Sequence, residues 1–252
     1  RVAYFNAIYE TFQTAAQKSE GIIEHFYSIA GYTVCLKFAG SGLVTHLTPA
    51  LSHLSTLPTA TPDLTICLFD SALTNHKLPF SLSIFIHLLR TNWFDFLDSR
   101  REVKGFNNDR FRMAYQLGSD IFSSLDTEQN LALYWVEDAE KVPYWERGSP
   151  LQAILNWWMG SRQRQYVHAG AVGNANGGVL LAGKGGSGKS STALACLNSE
   201  LTYASDDYCL VSTEPQPIVY SLYNTAKLKG AIDLAERFPH LTSLLSNADR
   251  LG

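Results

Sequence analysis

One short run, at 183–190, constrains the fold of this 252-residue chain more than any other segment does. It reads Gly-Lys-Gly-Gly-Ser-Gly-Lys-Ser and matches the pattern GxxxxGK[ST] in full. At average residue frequencies, such a match arises by chance in about one chain in a hundred of this length. An apolar segment at 179–182 precedes the run, and a segment with helical character at 190–198 follows it. The sequence therefore predicts a strand, a tight glycine-rich turn and a helix, in that order.

The residue types in this run suit the binding of an oligophosphate. Glycine takes positive φ without strain, so successive backbone N–H groups can turn inward around phosphate oxygens, beside the partial positive charge of a helix N-terminus. We expect Lys189 to reach the β- and γ-phosphates of ATP and the Ser190 hydroxyl to bind Mg²⁺. The alternative interpretation is a glycine-rich turn with no ligand. The predicted nucleotide contacts are Gly183, Lys184, Gly185, Gly186, Ser187, Gly188, Lys189, Ser190 and Ser191.

Two adjacent carboxylates, Asp206 and Asp207, precede an apolar segment at 208–212 that is predicted to be a strand. In a phosphate site, one carboxylate can hold Mg²⁺ and the other can accept the proton of an attacking hydroxyl. Because adjacent side chains of an extended segment point to opposite faces, we expect different roles for the two. The residues alone leave open which aspartate takes which role, and an exposed turn or a helix cap is the alternative interpretation.

His168 is the third candidate residue. It lies in the segment 167–172, which is predicted to be the strand before 179–182. If the two strands are neighbours, the imidazole ring can approach the phosphate end of the site. A lone histidine is otherwise more often structural.

These segments together resemble the catalytic domain of the HPr serine kinase/phosphorylase family, which is related in fold to phosphoenolpyruvate carboxykinase. The resemblance covers roughly residues 165–212, in the runs His168-Ala-Gly-Ala, 183–191 and Ser205-Asp-Asp. The chain looks more like the HPr-kinase-like proteins found outside sugar regulation, some of which phosphorylate serine in peptide natural-product pathways. The resemblance implies an α/β P-loop catalytic domain.

The resemblance also implies roles for individual residues. Asp206 would be the base that takes the serine proton, supported by His168. Asp207 and Ser190 would hold Mg²⁺, and Lys189 would neutralise phosphate charge. Downstream of these residues the sequence has no recognisable counterpart of the family's further acidic metal ligand or of its arginine-containing loop.

The remaining sequence predicts a mixed α+β domain over 1–148 and the P-loop domain over 149–252. Pro49 interrupts the helical pattern at 43–57. The predicted helices of the first domain are 1–20 and 43–57, and its predicted strands are 22–29, 32–38, 64–69, 111–116, 121–125 and 131–136.

The boundary between the two predicted domains is placed at a helix start. Ser149 can cap a helix whose first residue is Pro150, and two tryptophans, Trp157 and Trp158, are expected to pack that helix onto the next domain rather than bind a ligand. Because 149–252 holds few strands for a complete P-loop sheet, we expect this domain to be incomplete at its C-terminus.

Composition argues against several classes of partner. The formal net charge of -3 and the pI of about 6.2 do not favour nucleic acid. The four cysteines have no paired spacing, which argues against zinc and CxxC sites and favours reduced thiols in the cytoplasm. The longest apolar run, at 81–89, is shorter than the about 20 residues that cross a bilayer, so we expect no membrane partner.

We therefore expect an ATP- and Mg²⁺-dependent kinase that phosphorylates a serine hydroxyl of a protein or peptide. The alternatives are a kinase that acts on a small-molecule hydroxyl and a non-catalytic nucleotide-binding regulator. By elimination, 1–148 is expected to recognise the acceptor. Lys227 is interpreted as a solvated lysine rather than a phosphate ligand. The acceptor, the choice between ATP and GTP and the formation of a homo-oligomer stay open.

Overall fold

The computed structural model describes residues 1–79, 96–226 and 237–241. The apolar run at 81–89 and Lys227 lie outside the described residues. The described chain forms one six-stranded mixed sheet and two three-stranded sheets, with helices between the strands. The expectation of a mixed α/β protein is therefore confirmed.

The elements are numbered in chain order. The helices are α1 (Val2–Lys18), α2 (Val44–Leu47), α3 (Ser71–Thr74), α4 (Tyr144–Gly148), α5 (Gln152–Gly160) and α6 (Lys189–Ala195). The strands are β1 (Ile22–Ile29), β2 (Tyr32–Ala39), β3 (Leu64–Asp70), β4 (Phe111–Gln116), β5 (Ile121–Asp126), β6 (Leu131–Val136), β7 (Gln165–Val167), β8 (Gly170–Asn174), β9 (Gly177–Leu181), β10 (Thr202–Ser205), β11 (Cys209–Ser212) and β12 (Ile218–Tyr220). Short 3₁₀ helices occupy Pro49–Leu54, Ala139–Lys141, Cys196–Asn198 and Pro239–Leu241.

The large sheet has the strand order β1-β2-β3-β6-β5-β4. Its central pairs, β2 with β3 and β3 with β6, are parallel, and the outer pairs are antiparallel. Ala30 and Gly31, with φ of 50° and 89°, form the two-residue turn between β1 and β2. Positive φ at both positions is what a type I′ hairpin turn requires. All six strands predicted for 1–148 are confirmed, because alternating apolar residues and strong turn residues marked them clearly.

Apolar side chains cover both faces of the large sheet, because successive residues of a strand point to opposite sides. On one face Cys67 and Phe69 pack with α1. On the other face Ile66 and Leu68 share a cluster with α5, including the fully buried Trp158. The sheet is thus the middle of three layers. Trp158 is buried by packing, as expected, but its ring meets Tyr32 of β2 in the first part of the chain, where the sequence placed the contact on the next domain.

The predicted helix at 43–57 is split. α2 ends before Pro49, and a 3₁₀ helix continues to Leu54. Proline has no amide hydrogen to donate and its ring crowds the preceding turn, so the α-helical pattern cannot pass through Pro49.

The predicted start of α5 was also wrong. The helix begins at Gln152 rather than Pro150, and its N-cap residue is Leu151, with φ of 63°, rather than Ser149. No side chain caps the helix through the usual hydrogen bond. A left-handed leucine is costly, so another interaction must hold it there.

A buried carboxylate supplies that interaction. Glu146, which is 2% exposed, accepts hydrogen bonds at Oε1 from the Leu151 amide (2.9 Å) and from the Tyr134 hydroxyl (3.1 Å). Burial raises the pKa of Glu146 above its ordinary value of 4.5, and the hydrogen bonds only partly oppose this. Glu146 therefore joins α4, α5 and β6 at one point.

The second part of the chain forms two small antiparallel sheets, β10-β8-β9 and β12-β11-β7. Leu210 and Leu222 belong to the same apolar cluster as the side chains of α5 and the large sheet. The hydrophobic core therefore continues across residue 149, where the sequence places the domain boundary.

After β12 the chain runs back toward the first 3₁₀ helix through residues 221–226, here called the return segment. The Asn224 amide donates to the Ala50 carbonyl (3.0 Å). The Tyr203 hydroxyl, from β10, donates to the Thr225 carbonyl (2.9 Å). Adjacent residues of the return segment thus contact both the first part of the chain and one of the small sheets.

We predict that Glu146→Ala lowers the free energy of unfolding by about 3 kcal/mol, because it leaves a buried amide and a buried hydroxyl without their acceptor. Urea unfolding followed by circular dichroism measures this change. Tyr134→Phe, which removes one hydroxyl hydrogen bond, serves as the control and should cost about 1 kcal/mol.

The same residue predicts a pH dependence. A raised folded-state pKa means that the folded protein holds the proton more tightly, so the wild type should lose stability relative to Glu146→Gln as pH rises above about 4.5. Urea unfolding of both proteins between about pH 4.5 and pH 7 tests the sign. A difference that does not change with pH would contradict it.

Candidate functional site

The glycine-rich loop lies between β9 and α6, as the sequence predicts. Gly186 and Gly188 have φ of 82° and 90°, which side chains other than glycine rarely adopt. At Gly183 an added Cβ would lie 2.6 Å from Ser187 Oγ, so that side chain would have to move. The backbone itself therefore favours glycine at two of the four predicted positions, Gly186 and Gly188.

The Lys189 side chain folds across this loop. Its Nζ donates to the Gly183 carbonyl at 2.9 Å and lies 3.3 Å from the Lys184 carbonyl. Residues 183–187 are exposed, so the ammonium group and the loop backbone face solvent together. This places a positive charge at the mouth of the loop.

Backbone donors surround that charge. In the part of the chain that the structure describes, no backbone carbonyl accepts a hydrogen bond from the amides of Lys189, Ser190 or Ser191, the first residues of α6. Amides at the start of a helix, together with positive-φ glycines and a lysine, match the donor set that an oligophosphate requires. The loop therefore presents donors of the kind that phosphate oxygens accept from.

The other candidate residues lie where the chain passes between the two small sheets. The predicted strand at 167–172 was wrong as a single element, since β7 ends at Val167 in one sheet and β8 begins at Gly170 in the other. His168 occupies this first crossing. The second crossing, at 206–208, joins β10 to β11 and carries both aspartates.

Strand pairing puts the two crossings side by side. Cys209 pairs with Val167 in one sheet, and Ser205 pairs with Ala171 in the other. The buried Ser205 hydroxyl lies 2.8 Å from the Tyr208 carbonyl and 3.1 Å from the Ala169 carbonyl. This one side chain therefore contacts the backbone of both crossings.

His168 and Asp207 form an ion pair, with 2.6 Å between Nε2 and Oδ1. Their side chains are 50% and 41% exposed, so both are accessible to a substrate. The imidazole also stacks on Tyr208, with ring centroids 5.0 Å apart. Burial, with a smaller contribution from the Asp207 charge, raises the pKa of Tyr208, so this phenol stays neutral near physiological pH.

Asp206 has a different environment from its neighbour, as expected for adjacent side chains. It is 1% exposed. Burial, and then the charges of Asp206 and Asp207, raise the pKa of Tyr203 on the neighbouring strand. The resemblance implied that His168 supports Asp206, whereas the ion pair of His168 is with Asp207, because the second crossing turns that side chain toward the first.

Gly170, in β8, lies beside both the second crossing and the helix that follows the loop. An added Cβ on this residue would lie 3.5 Å from the carbonyl oxygens of Ser205 and Asp206 and 3.6 Å from Cβ of Ala193 in α6. The helix that follows the loop therefore packs onto β8 next to the second crossing. Two sequence-predicted parts of the site thus share one short stretch of backbone.

Magnesium places modest demands on such a site. The described residues contain no group of three or more histidine, cysteine, aspartate or glutamate side chains that could hold a metal on their own. Nucleotide-bound Mg²⁺ usually takes only one or two protein ligands, with water and phosphate oxygens filling the other positions. A hydroxyl from Ser190 and the exposed carboxylate of Asp207 have the oxygen chemistry for that role.

Sequence reasoning missed β10 and the role of Ser205. β10 has only four residues, Thr202–Ser205, and is partly polar. It therefore lacks the alternation of apolar and polar residues that predicts a strand. A buried serine directly before two aspartates was the available signal, but its contacts depend on the pairing of four strands.

No protein-family model matches this chain, and no curated protein matches it either. Within the described residues, every helix is too short or too polar to span a bilayer.

We predict that Ser205→Ala lowers the free energy of unfolding by about 1 to 3 kcal/mol, because it removes the one hydroxyl donor that the Ala169 and Tyr208 carbonyls share, the first of these contacts being buried. Urea unfolding provides the measurement. Ser199→Ala is the matched control, since the Ser199 hydroxyl is exposed and contacts a carbonyl in its own turn. Equal stability losses in the two variants would contradict the assigned role of Ser205.

Proposed function

We propose that this chain is an ATP- and Mg²⁺-dependent phosphotransferase that moves the γ-phosphate of ATP to a serine hydroxyl of a protein or peptide. The observation that carries the proposal is the glycine-rich loop at 183–190, with the Lys189 ammonium 2.9 Å from the Gly183 carbonyl. The fold of the loop-bearing part as a P-loop domain of the HPr kinase type belongs to the same proposal.

Nucleotide binding is the part of the proposal with the most direct support. The first amides of α6 have no backbone acceptor in the described structure, and the Lys189 ammonium lies against the exposed loop. Charge-assisted hydrogen bonds to phosphate are roughly twice as strong as neutral ones, and a preformed set of donors needs little ordering. The side chain of Lys184 adds a second positive charge in the loop.

Transfer requires a proton acceptor close to the loop. The serine oxygen forms a bond to the γ-phosphorus, the bond from that phosphorus to the ADP oxygen breaks, and the serine proton passes to a carboxylate. The proposed acceptor is Asp206, following the resemblance. Bound Mg²⁺, held by Ser190 and Asp207, would neutralise phosphate charge.

The geometry of the crossings supports a variant of this scheme. Asp207, rather than Asp206, contacts His168 and is accessible to an incoming hydroxyl. A paired histidine can stabilise a carboxylate or pass a proton to solvent. The two aspartates are therefore tested separately below.

A nucleotide-binding regulator without transfer is the second candidate function. The observation that favours it is the burial of Asp206, since a base that is 1% exposed is poorly accessible to a large acceptor. A kinase that acts on a small-molecule hydroxyl would place the labelled phosphate on small molecules, whereas a peptide kinase would place it on peptides.

We predict that Lys189→Ala weakens the association of ATP with the protein in the presence of Mg²⁺ by roughly a hundredfold, or about 2 to 3 kcal/mol, because it removes a charged donor from the phosphates. Isothermal titration calorimetry measures the affinity. Lys184→Ala, in the same loop, is the matched control and should have a much smaller effect. Failure of the wild type to bind ATP would overturn the proposal.

We predict that Asp206→Asn reduces transfer of labelled phosphate from ATP to serine-containing peptides by roughly a hundredfold or more, because proton transfer to a positioned base contributes at least that much. ATP affinity should be unchanged. Asp207→Asn should instead raise the Mg²⁺ concentration needed for transfer.

Three other outcomes of that experiment are informative. An active Asp206→Asn variant together with inactive Asp207→Asn and His168→Ala variants would assign the proton acceptor to the exposed ion pair. Label found only in small molecules would identify the other acceptor class. Normal ATP affinity with no transfer to any acceptor would support the regulator.

A further inference from the structure

A cavity of about 380 Å³ lies between the turn after α5 and the two small sheets, away from the glycine-rich loop. Its lining combines neutral polar side chains, aliphatic side chains and a single cation, with no carboxylate among the described residues that line it. The lining residues include Gln163, Arg164, Gln165, Leu180, Val211 and Thr213. Such a lining suits a ligand with one negative charge and an aliphatic part.

The backbone of Arg164 is fixed at the edge of this cavity. α5 ends at Gly160, and Gln163 takes a left-handed conformation with φ of 57°. The Arg164 amide then donates to the Met159 carbonyl at 3.0 Å. This turn sets the position from which the arginine side chain extends.

The guanidinium group of Arg164 is held by aromatic rings rather than by an acid. It lies 5.2 Å from the ring centroid of Tyr220 and 5.9 Å from that of Tyr32. Its Nε is buried and has no hydrogen-bond acceptor among the described residues. Because the described residues give this nitrogen no acceptor, an anion that reaches the accessible part of the guanidinium would supply the first charged partner of Arg164 among them.

Arg162, two residues earlier, shows the contrast. Its guanidinium lies 3.5 Å from the ring centroid of Trp158 and donates to Asn130 Oδ1 at 2.7 Å. Arg162 does not line the cavity. Arg162 thus has an internal acceptor, whereas the described part of the chain offers none to Arg164 Nε, so Arg162 is a matched control.

The strands that line the cavity lead into the candidate site. Leu180 precedes Gly183 by three residues, and Gln165 precedes His168 by three residues. At about 3.3 Å per extended residue, three residues span at most about 10 Å, so two residues of the lining lie within that distance of the loop and of the exposed ion pair. An extended peptide covers this distance with three or four residues.

We propose that this cavity binds the carboxylate of a glutamate located three or four residues from the phosphorylated serine of an extended acceptor peptide. Arg164 pairs with the carboxylate, Gln163, Gln165 and Thr213 offer neutral hydrogen bonds, and Leu180 and Val211 contact the aliphatic stem. β9 is the edge strand of its sheet in the described structure, which leaves room for an extended chain beside it. The position relative to serine rests on the proposed function, whereas binding of the carboxylate does not.

The first test uses no nucleotide. Ac-Glu-NH2, and as its neutral match Ac-Gln-NH2, are titrated into the protein while amide chemical shifts are followed by NMR. We expect saturating shifts at Arg164, Leu180 and Val211 with a Kd in the roughly millimolar range for the acid, and binding about tenfold weaker or worse for the amide. Equal binding of the two probes, or no saturating shifts at these residues, would overturn the inference.

Matched variants locate the binding energy. Arg164→Gln should weaken association of Ac-Glu-NH2 by about tenfold or more, and Arg162→Gln should leave it unchanged. Leu180→Asp, on an exposed strand that tolerates polar residues, should repel the carboxylate even if Arg164→Gln fails to fold. Val179→Asp is its control, because Val179 is 59% exposed and does not line the cavity.

A second measurement separates this inference from the proposed function. Serine peptides with glutamate at each position within four residues of serine are compared with their glutamine counterparts in the transfer assay. If the protein binds Ac-Glu-NH2 but transfers no phosphate, the carboxylate site is supported and the proposed kinase activity is overturned. If phosphate transfer shows no preference for glutamate and is unchanged in Arg164→Gln, the kinase activity is supported and the carboxylate site is overturned.

Discussion

The candidate site depends on the Ser205 hydroxyl, which contacts the carbonyls of Ala169 and Tyr208. Those two carbonyls belong to the two places where the chain leaves one small sheet and enters the other. Backbone groups at such places have lost their regular strand partners and must find others when buried. By contacting both, this buried side chain supports the strand pairs that set the spacing of the crossings, and hence of His168 and Asp207.

That arrangement divides two identical residues by environment. Asp207 is exposed and paired with imidazole, whereas Asp206 is buried beside β8. Two carboxylates with different surroundings hold protons and metal ions with different affinities, which is how neighbouring acids take separate roles in phosphate chemistry. The difference arises from the local path of the backbone, since sequence alone makes the two residues equivalent.

Sequence patterns predicted the large sheet and the loop well, because both are encoded locally. Each strand of the sheet has alternating or continuous apolar residues between clear turns. The loop has glycine at the two positions where its backbone takes positive φ. The errors have a common origin in distant contacts. Glu146 moves the start of α5 by binding the Leu151 amide, and the change of sheet at His168 divides a segment that looks like one strand.

The residues of the candidate site could be proposed from the sequence, but their arrangement in space could not. Motif spacing identified Lys189, His168 and the aspartates, while the partner of His168 depended on which face each aspartate takes at a bend. The cavity beside Arg164 was outside the reach of sequence reasoning, because its walls come from one turn and three strands that pair only in the folded chain.

The return segment bears on how stiff the molecule is. The Asn224 amide donates to the Ala50 carbonyl, and the carbonyl of the next residue, Thr225, accepts from the Tyr203 hydroxyl. Two neighbouring residues are therefore hydrogen-bonded to different parts of the fold. An opening that separates β10 from the 3₁₀ helix at Pro49–Leu54 would therefore have to break one of these two hydrogen bonds. The return segment thus acts as a short brace that resists separation of these two elements.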